Sequence, residues 1–583
     1  MNAILITLNI IVLSSLAALA TQWPPALFAF LIVGPLSILS IWGISSNGVS
    51  ARVIFVSTSA LIIAGVAAAS YVWPSAIYGY VIVAPIILLG TRDMLQTKRA
   101  ILRNYPVIGH ARYLLEEIRP EIQQYFIESN TDGAPFAREQ RDVIYQRSKG
   151  DLATLPFGTQ HDVYATGYEW INHSMAPIEP KEMSPRIIIG EHTCAQPYSA
   201  SILNISAMSF GALSGNAIKA LNIGAREGGF AHNTGEGSIS SHHRNGGDLI
   251  WQIGTGYFGC RTDDGKFDEN KFSEIAKDEA VKMIEIKISQ GAKPGHGGIL
   301  PAAKITPEIA EIRGVPLGHD VISPPAHSSF DSPVGLLEFV TLLRERSGGK
   351  PVGFKLCVGK RREFLAVCKA MLKTGMHPDF ISVDGGEGGT GAAPVEFSNS
   401  LGCPLVEGLT FVHNSLVGIG LRDRVKIIAS GKVSSGFGLV KRIALGADIC
   451  SSARPMMMSL GCIQARKCNS NICPVGVATQ DPSLTRGLVV EQKSQRVTRY
   501  HAETVKAAME LLGAAGISEP NDLRPWHIMR RVSPLETRHY GEVIHYLKEG
   551  DLLRSHLPAE FERAWNSASA ESFQLEHDAA TAA

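Results

Sequence analysis

The hydrophobic pattern of the first ninety positions differs from that of the rest. No Asp, Glu, Lys or Arg occurs before Arg52, and none occurs from Val53 through Thr91. Roughly 20 apolar residues cross a bilayer. The stretch 1–91 therefore predicts a transmembrane region of four helices, near 2–20, 25–45, 53–71 and 75–91. Trp23, Trp42 and Trp73 fall close to the breaks. A cleaved signal peptide fits poorly, because no basic residue precedes the first apolar run and the runs continue. Arg92, Lys98, Arg99 and Arg103 follow the last span, and such a basic flank stays cytoplasmic. Four spans then put both termini in the cytoplasm. The expectation is a multi-pass protein of the inner (cytoplasmic) membrane whose large remaining part faces the cytoplasm, a reducing compartment.

Beyond Arg92 polar and apolar residues mix. Residues 92–184 read as a membrane-proximal helical region. Within it Ala111–Ile127 has one apolar side, carried by Leu114, Leu115, Ile118, Ile122, Tyr125 and Phe126. Pro120 is placed to kink or split that helix. From about 185 to 455 short β-rich runs alternate with helical stretches. Expected strands are Ser201–Ala207, Leu249–Ile253, Met283–Ile288, Val352–Cys357, Phe380–Val383, Val425–Ala429 and Ala447–Ser451, with helices at 213–227, 361–374 and 435–446. This βαβ rhythm predicts an α/β fold, a (β/α)8 TIM barrel over 185–515 preceded by the transmembrane helices. A doubly wound sheet is the alternative. No G-x-G-x-x-G with a following acidic partner supports a Rossmann site. Residues 516–583 read as a helical segment whose small-residue tail, from about 565, is expected to be disordered.

Composition adds exclusions. The formal net charge is +1 over 583 residues, which gives no sign of a nucleic-acid partner. The 57 glycines suit a loop-rich α/β enzyme better than a helical bundle.

Three of the nine cysteines, Cys462, Cys468 and Cys473, fall in Gly461–Pro474. Thiolates this close favour a metal or iron–sulfur site. A structural zinc site wants four ligands, and three without a fourth match a [3Fe-4S] cluster. A [4Fe-4S] cluster with a non-cysteine ligand, or three buried cysteines holding nothing, are the alternatives. Glycine-rich or small polar junctions follow three successive strands: Asp384–Gly391, Ser430-Gly-Lys432 and Ser451-Ser-Ala-Arg454. Exposed N–H groups at such junctions bind anions, and a flavin mononucleotide would supply the phosphate. Lys287 and Lys355 lie inside expected strands, where a lysine facing the barrel mouth can hold the N1/O2 edge of a flavin. Alternation puts Glu285 and Lys287 on one face, so an interior ion pair competes with that reading. Glu236, between Gly235 and Gly237, could move a proton or orient an ammonium group, or could be an ordinary turn residue. Lys293, in a Pro-Gly loop, reads by itself as solvated surface.

Several ordered motifs resemble the flavin domain of glutamate synthase. They are Ser206–Ser214, Asn233–Gly237, Gln290–Gly295, Ser323–Pro325, Gly388–Ala392, Gly420–Val425 and, most specifically, Gly461–Gln480. The resemblance covers roughly 185–485, and Ile101–Gly109 is similar to the stand-alone, membrane-anchored branch. It implies a TIM barrel holding FMN beside a [3Fe-4S] cluster on Cys462, Cys468 and Cys473. It implies reductive amination of 2-oxoglutarate, through 2-iminoglutarate, with ammonia. Met208, Ser209, Gln290 and Lys355 would line the flavin. Gly386, Gly431 and Ala453 would take its phosphate. Lys293 and Arg313 would bind the two carboxylates, and Glu236 would stand near the imine. Electrons would come from a ferredoxin or a separate reductase subunit. Four features depart from the family pattern, one being that the family's C-terminal β-helix is not expected here. Apolar spans stand where the amidotransferase domain would be, so glutamine hydrolysis is not expected. Gly295-His-Gly-Gly298 replaces Gly-Glu-Gly-Gly, and Ser430-Gly-Lys432 replaces Asp-Gly-Gly. An oxidoreductase acting on another amino or keto acid, or an electron-transfer subunit without its own substrate, are the competing functions.

Overall fold

The computed structural model describes Gly34 and residues 50–574. It divides into two compact units between Glu128 and Ser129.

In the first unit, helix α1 (Ala51–Val72) and helix α2 (Tyr80–Leu95) are joined by a 3-10 turn at Pro74–Gly79. Helix α1, and α2 taken together with the turn before it (Pro74–Leu95), are long and apolar enough to cross a membrane. They match the spans expected at 53–71 and 75–91; those expected at 2–20 and 25–45 lie outside the described residues. Ile62, Val66 and Val83 pack together, while Val81, Ile82 and Leu88 stay about 70% exposed. A lipid-facing helix has no need to bury them. At the end of α2, Asp93 accepts a hydrogen bond from the Val107 N–H and faces His110 Nε2, each at 3.0 Å. Helix α3 (His110–Ile122) passes through Pro120 and widens into a single π turn at Gln123–Ile127. The proline falls in the last α turn and does not split the helix. No residue of α3 is buried.

In the second unit eight parallel strands close into a barrel: β1 (Leu203–Ile205), β2 (His232–Asn233), β3 (Leu249–Ile253), β4 (Val281–Lys287), β5 (Val352–Leu356), β6 (Phe380–Asp384), β7 (Lys426–Ser430) and β8 (Ile449–Ser452). They neighbour one another in chain order. β8 pairs back onto β1 through Cys450↔Leu203 and Ser451↔Asn204, which rules out an open doubly wound sheet. Buried Ile, Val and Phe side chains along the strands form one continuous core with the surrounding helices. Six strands lie within two residues of expectation. Two differences have local causes. The run expected as Ser201–Ala207 is divided: Tyr198–Ser201 pairs antiparallel with Arg186–Ile189, and only Leu203–Ile205 enters the barrel. Strand β2 has two residues, too few for alternation to show.

The helix Val490–Ala514 packs on Gly215–Gly228, one of the outer helices. Contact is close because Gly224 has no side chain: a Cβ there would lie 2.7 Å from Val497 Cβ. The C-terminal segment is only partly helical. Ile528–Ser533 and Glu536–His539 form an antiparallel sheet with Glu169–Ile171. Glu169 anchors it by ion pairs to Lys441 (2.5 Å) and Arg530 (2.8 Å). The expected fraying from 565 also fails up to Gln574. Lys369 Nζ donates to the Ala568 carbonyl (2.9 Å) and Arg362 to the Phe573 carbonyl (2.6 Å), so backbone contacts hold a stretch too poor in side chains to hold itself. Residues 575–583 lie outside the described residues.

The barrel interior is knotted by one carboxylate. Glu285, 3% exposed on β4, accepts from Asn233 Nδ2 on β2 (2.8 Å), Gln252 Nε2 on β3 (2.6 Å) and Ser382 Oγ on β6. Removing it orphans three buried donors at about 1–3 kcal/mol each. Glu285→Ala is expected to lose about 3 kcal/mol or more of stability in chemical denaturation, and a loss below about 1 kcal/mol would contradict the knot. Glu285→Gln, which keeps one acceptor oxygen, should lose less.

Candidate active site

Parallel strands all end at one rim, and the cavity opens there. It holds about 1500 Å³ of space continuous with solvent. Seven cationic and only two acidic side chains line it.

Glu236, just past β2, forms an ion pair with Lys287 at the end of β4 (2.7 Å). Its carboxylate is clasped by two glycines: a Cβ at Gly298 or Gly254 would lie 2.3 or 2.6 Å from its oxygens. Burial alone would raise its pKa, but Lys287, with Arg313 and Lys293 behind it, outweighs burial and holds the carboxyl below its ordinary range. Lys293, on the loop after β4, is 2% exposed and donates to the Ala392 carbonyl (2.9 Å). The surface reading of this residue is thus corrected: its loop folds inward over the rim. Burial, reinforced by Lys287 and opposed by Glu236, pushes its pKa down to about 8. Arg313 ends the helix Pro307–Arg313. It donates to the Phe210 carbonyl (2.9 Å) and Ser209 Oγ (3.3 Å), and its guanidinium lies 5.2 Å from the Phe258 ring centre. Its buried Nε has no hydrogen-bond partner among the described residues. Burial, against Glu236, lowers its pKa to about 10.

Lys355 on β5 pairs with Asp384 at the end of β6 (3.3 Å), and Asp384 also accepts from the Gly291 N–H (2.8 Å). Burial would lower the lysine's pKa, but Asp384 and Glu285 raise it above the ordinary value. Lys287 thus pairs with Glu236, not with Glu285 in its own strand.

Met208, Ser209, Gln290, Gly431 and Ala453 line the cavity with Glu236, Lys293, Arg313 and Lys355. The N–H groups of Gly431, Lys432, Ala453 and Arg454 have no protein acceptor among the described residues, which leaves them free for an anion. Gly386 is placed differently. It is not in the cavity wall, and its N–H donates to the Cys403 carbonyl (2.7 Å). His296 does not line the cavity either; its ring packs edge-on to Phe397.

Cys468 reaches the cavity wall, whereas Cys462 and Cys473 do not line it. Burial, then the charges of Cys468 and Cys473, push the Cys462 thiol up to about 12, so the three sulfurs are electrostatic neighbours. Among the described residues no three His, Cys, Asp or Glu side chains converge as ligands of a metal ion. Their loop carries three non-glycine residues at left-handed φ, Gln464 (58°), Arg466 (55°) and Asn471 (60°). It is held by Gln464, which accepts from the Phe136 N–H and donates to the Phe136 carbonyl, and by Asn471, which donates to the Ala303 carbonyl. Lys304 escaped sequence reasoning. Its Nζ donates to the Ala212 (2.8 Å) and Cys468 (3.1 Å) carbonyls, linking the cavity wall to the cysteine loop. Nothing in the sequence around Ala302-Ala-Lys304 signals this.

A family profile described as a conserved region in glutamate synthase matches residues 162–518. A glutamate synthase large subunit-like protein, YerD of Bacillus subtilis, is 38% identical over 482 residues, covering 76% of this chain and 91% of its own. The chain belongs to the glutamate synthase family. Proteins named archaeal glutamate synthase [NADPH], from Archaeoglobus fulgidus and Methanocaldococcus jannaschii, are 35% and 36% identical over 55% of this chain and 60% of theirs. Membership makes this barrel an FMN-type oxidoreductase domain.

The Lys293 pKa gives a pH test. Below about 8 the ammonium is charged and can grip a carboxylate; above it the charge is lost. Affinity for glutarate, a five-carbon dicarboxylate probe, should fall about tenfold as pH rises from 7 to 9, and Lys293→Arg should abolish most of that fall. A flat profile in the unaltered protein, read by calorimetry, would remove Lys293 from the anion site.

Proposed function

We propose that this protein is a membrane-anchored glutamate synthase-type enzyme that aminates 2-oxoglutarate reductively with ammonia. The carrying observation is the group of three cations, Lys287, Lys293 and Arg313, around one carboxylate, Glu236. Lys287 neutralises Glu236, so Lys293 and Arg313 remain for the two carboxylates of the substrate. The Nε of Arg313 is a buried donor without an acceptor among the described residues, and charge-assisted hydrogen bonds there would be strong and directional. Condensation of the keto group with ammonia releases water and gives 2-iminoglutarate. Two electrons and two protons, one ending on carbon and one on nitrogen, then give the amine of glutamate. Glu236, held ionised and fixed between glycines, is suited to stabilise the iminium charge or manage its proton. Ile299, Leu300, Pro301 and Val321 provide an apolar wall that limits water.

When bound, FMN would supply hydride chemistry and a [3Fe-4S] cluster would supply single electrons from a ferredoxin or reductase subunit. The fit for FMN rests on the four free N–H groups at the ends of β7 and β8, with Met208, Ser209, Gln290 and Lys355 along the cavity. The cluster reading on Cys462, Cys468 and Cys473 is supported by the motif they share with the family and by the constrained loop that carries them, not by converged ligands. Of the two departures that favour another substrate, the amidotransferase loss and His296, the second lies outside the cavity wall, and the cavity itself disfavours a subunit without a substrate.

Purified anaerobically, the protein should contain one FMN and about three irons per chain. With a chemical reductant it should turn over 2-oxoglutarate with ammonia. Lys293→Ala should raise the KM for 2-oxoglutarate about tenfold or more, and Glu236→Gln should slow turnover about 100-fold with little change in binding. Turnover of another imino acid but none of 2-oxoglutarate would overturn the substrate and spare the flavin chemistry.

The same proposal places the protein in the inner membrane with four spans and the barrel in the cytoplasm. The basic residues Arg92, Lys98, Arg99 and Arg103 after α2 support that orientation. A cysteine at Ala100→Cys should resist impermeant thiol reagents in intact cells, and labelling from outside would reverse the topology.

A further inference from the structure

We propose that Lys432 makes the cavity selective for a phosphorylated flavin, closing with Arg454 on the phosphate so that FMN is held and riboflavin is not. The inference rests on the FMN reading above and goes beyond it in naming what discriminates the cofactor.

The first observation is backbone strain. Lys432, directly after β7, has φ +49°. That left-handed region suits glycine, and a residue with a Cβ is destabilised there. The family pattern that this segment resembles has glycine at the position. A lysine is therefore held where glycine would be less strained, which points to use of its side chain.

The second observation is charge without a partner. Lys432 makes no hydrogen bond or ion pair among the described residues, yet it is half-buried and lines the cavity. Burial and the nearby Arg454 both lower its pKa, with only Glu387 opposing. The Glu387 carboxylate is engaged elsewhere, accepting from the Leu405 N–H (2.9 Å). Arg454 is fixed: it donates to the Glu387 carbonyl (2.7 Å), and its guanidinium lies 4.9 Å from the Phe136 ring centre. Arg454 has no carboxylate partner within ion-pair distance among the described residues. Two cations that repel each other thus flank the free N–H groups of Gly431, Lys432, Ala453 and Arg454.

A dianion with three terminal oxygens satisfies both observations. It relieves the repulsion and accepts from backbone and side chains together. A carboxylate would bring half the charge and one oxygen fewer. The dicarboxylate is assigned to Lys293 and Arg313, so the phosphate end remains for the cofactor.

The test uses the full-length protein in detergent, stripped of flavin and titrated with FMN and with riboflavin. Lys432→Gly is expected to weaken FMN about tenfold or more while changing riboflavin less than about twofold. Inorganic phosphate should compete with FMN in the unaltered protein and less so in the variant. The thermal midpoint of the flavin-free variant should be unchanged or higher, because glycine relieves the left-handed strain. Equal weakening of both flavins with a lower midpoint would show a structural role and overturn the proposal. Unchanged affinity for both would overturn it too. If the unaltered protein binds neither flavin, the FMN reading fails first and takes this inference with it.

Discussion

Lys287 and Lys355 stand directly opposite each other on adjacent strands β4 and β5, both buried. Like charges in such register repel, and burial removes the water that would screen them. The mouth of the barrel can exist only if carboxylates meet this charge. Glu236 arrives from the end of β2 for Lys287, and Asp384 from the end of β6 for Lys355. Glu285 lies one layer below and adds its negative field to Lys355 while tying β2, β3 and β6 together. These contacts span more than half the barrel, so closure of the sheet and assembly of the site are one event.

After those pairings the cavity keeps an excess of positive charge. Lys293 and Arg313 mark one part of it, and Lys432 and Arg454 another. Burial pushes Lys293 and Arg313 below their ordinary pKa values, which means the protein holds them charged at a cost. Such an arrangement is completed by anions, and it favours charged ligands over neutral ones of the same shape. The proposed dicarboxylate and cofactor phosphate use this excess in two separate places. Lys304 extends the charged wall to the cysteine loop through two backbone carbonyls, so the loop's position is coupled to the cavity's.

Much of the local strain follows the same map, although Val107 and Phe157, two of the eight non-glycine residues at left-handed φ among the described residues, lie away from it. Lys432, Gln464, Arg466 and Asn471 all have left-handed φ without being glycine, and all four lie at the β7 junction or in the cysteine loop. Strain that persists is held by surrounding structure, and it gathers where geometry is prescribed by something other than packing. The outer helices show none of it in their interiors.

The sequence by itself determined a good deal. The absence of charge from Val53 through Thr91 dictates apolar helices there, because uncharged runs of that length have nothing to expose to water. The alternation of buried runs and glycine junctions dictates parallel strands, and β3 to β8 lie within two residues of expectation. The order of motifs was enough to identify the family. What depended on contacts between distant segments was decided only by the tertiary structure. Strand β2 is two residues long and exists because β1 and β3 present edges to it. Lys287 pairs across 51 positions with Glu236, not with the neighbouring Glu285. Lys293 is buried because its loop turns inward, which a Pro-Gly sequence cannot announce. Gly386 belongs to a glycine run that looks ready for phosphate, yet the Cys403 carbonyl takes its N–H. Local patterns specify which faces must be hidden; which charge meets which is settled when the barrel closes and no water is left to substitute for the wrong partner.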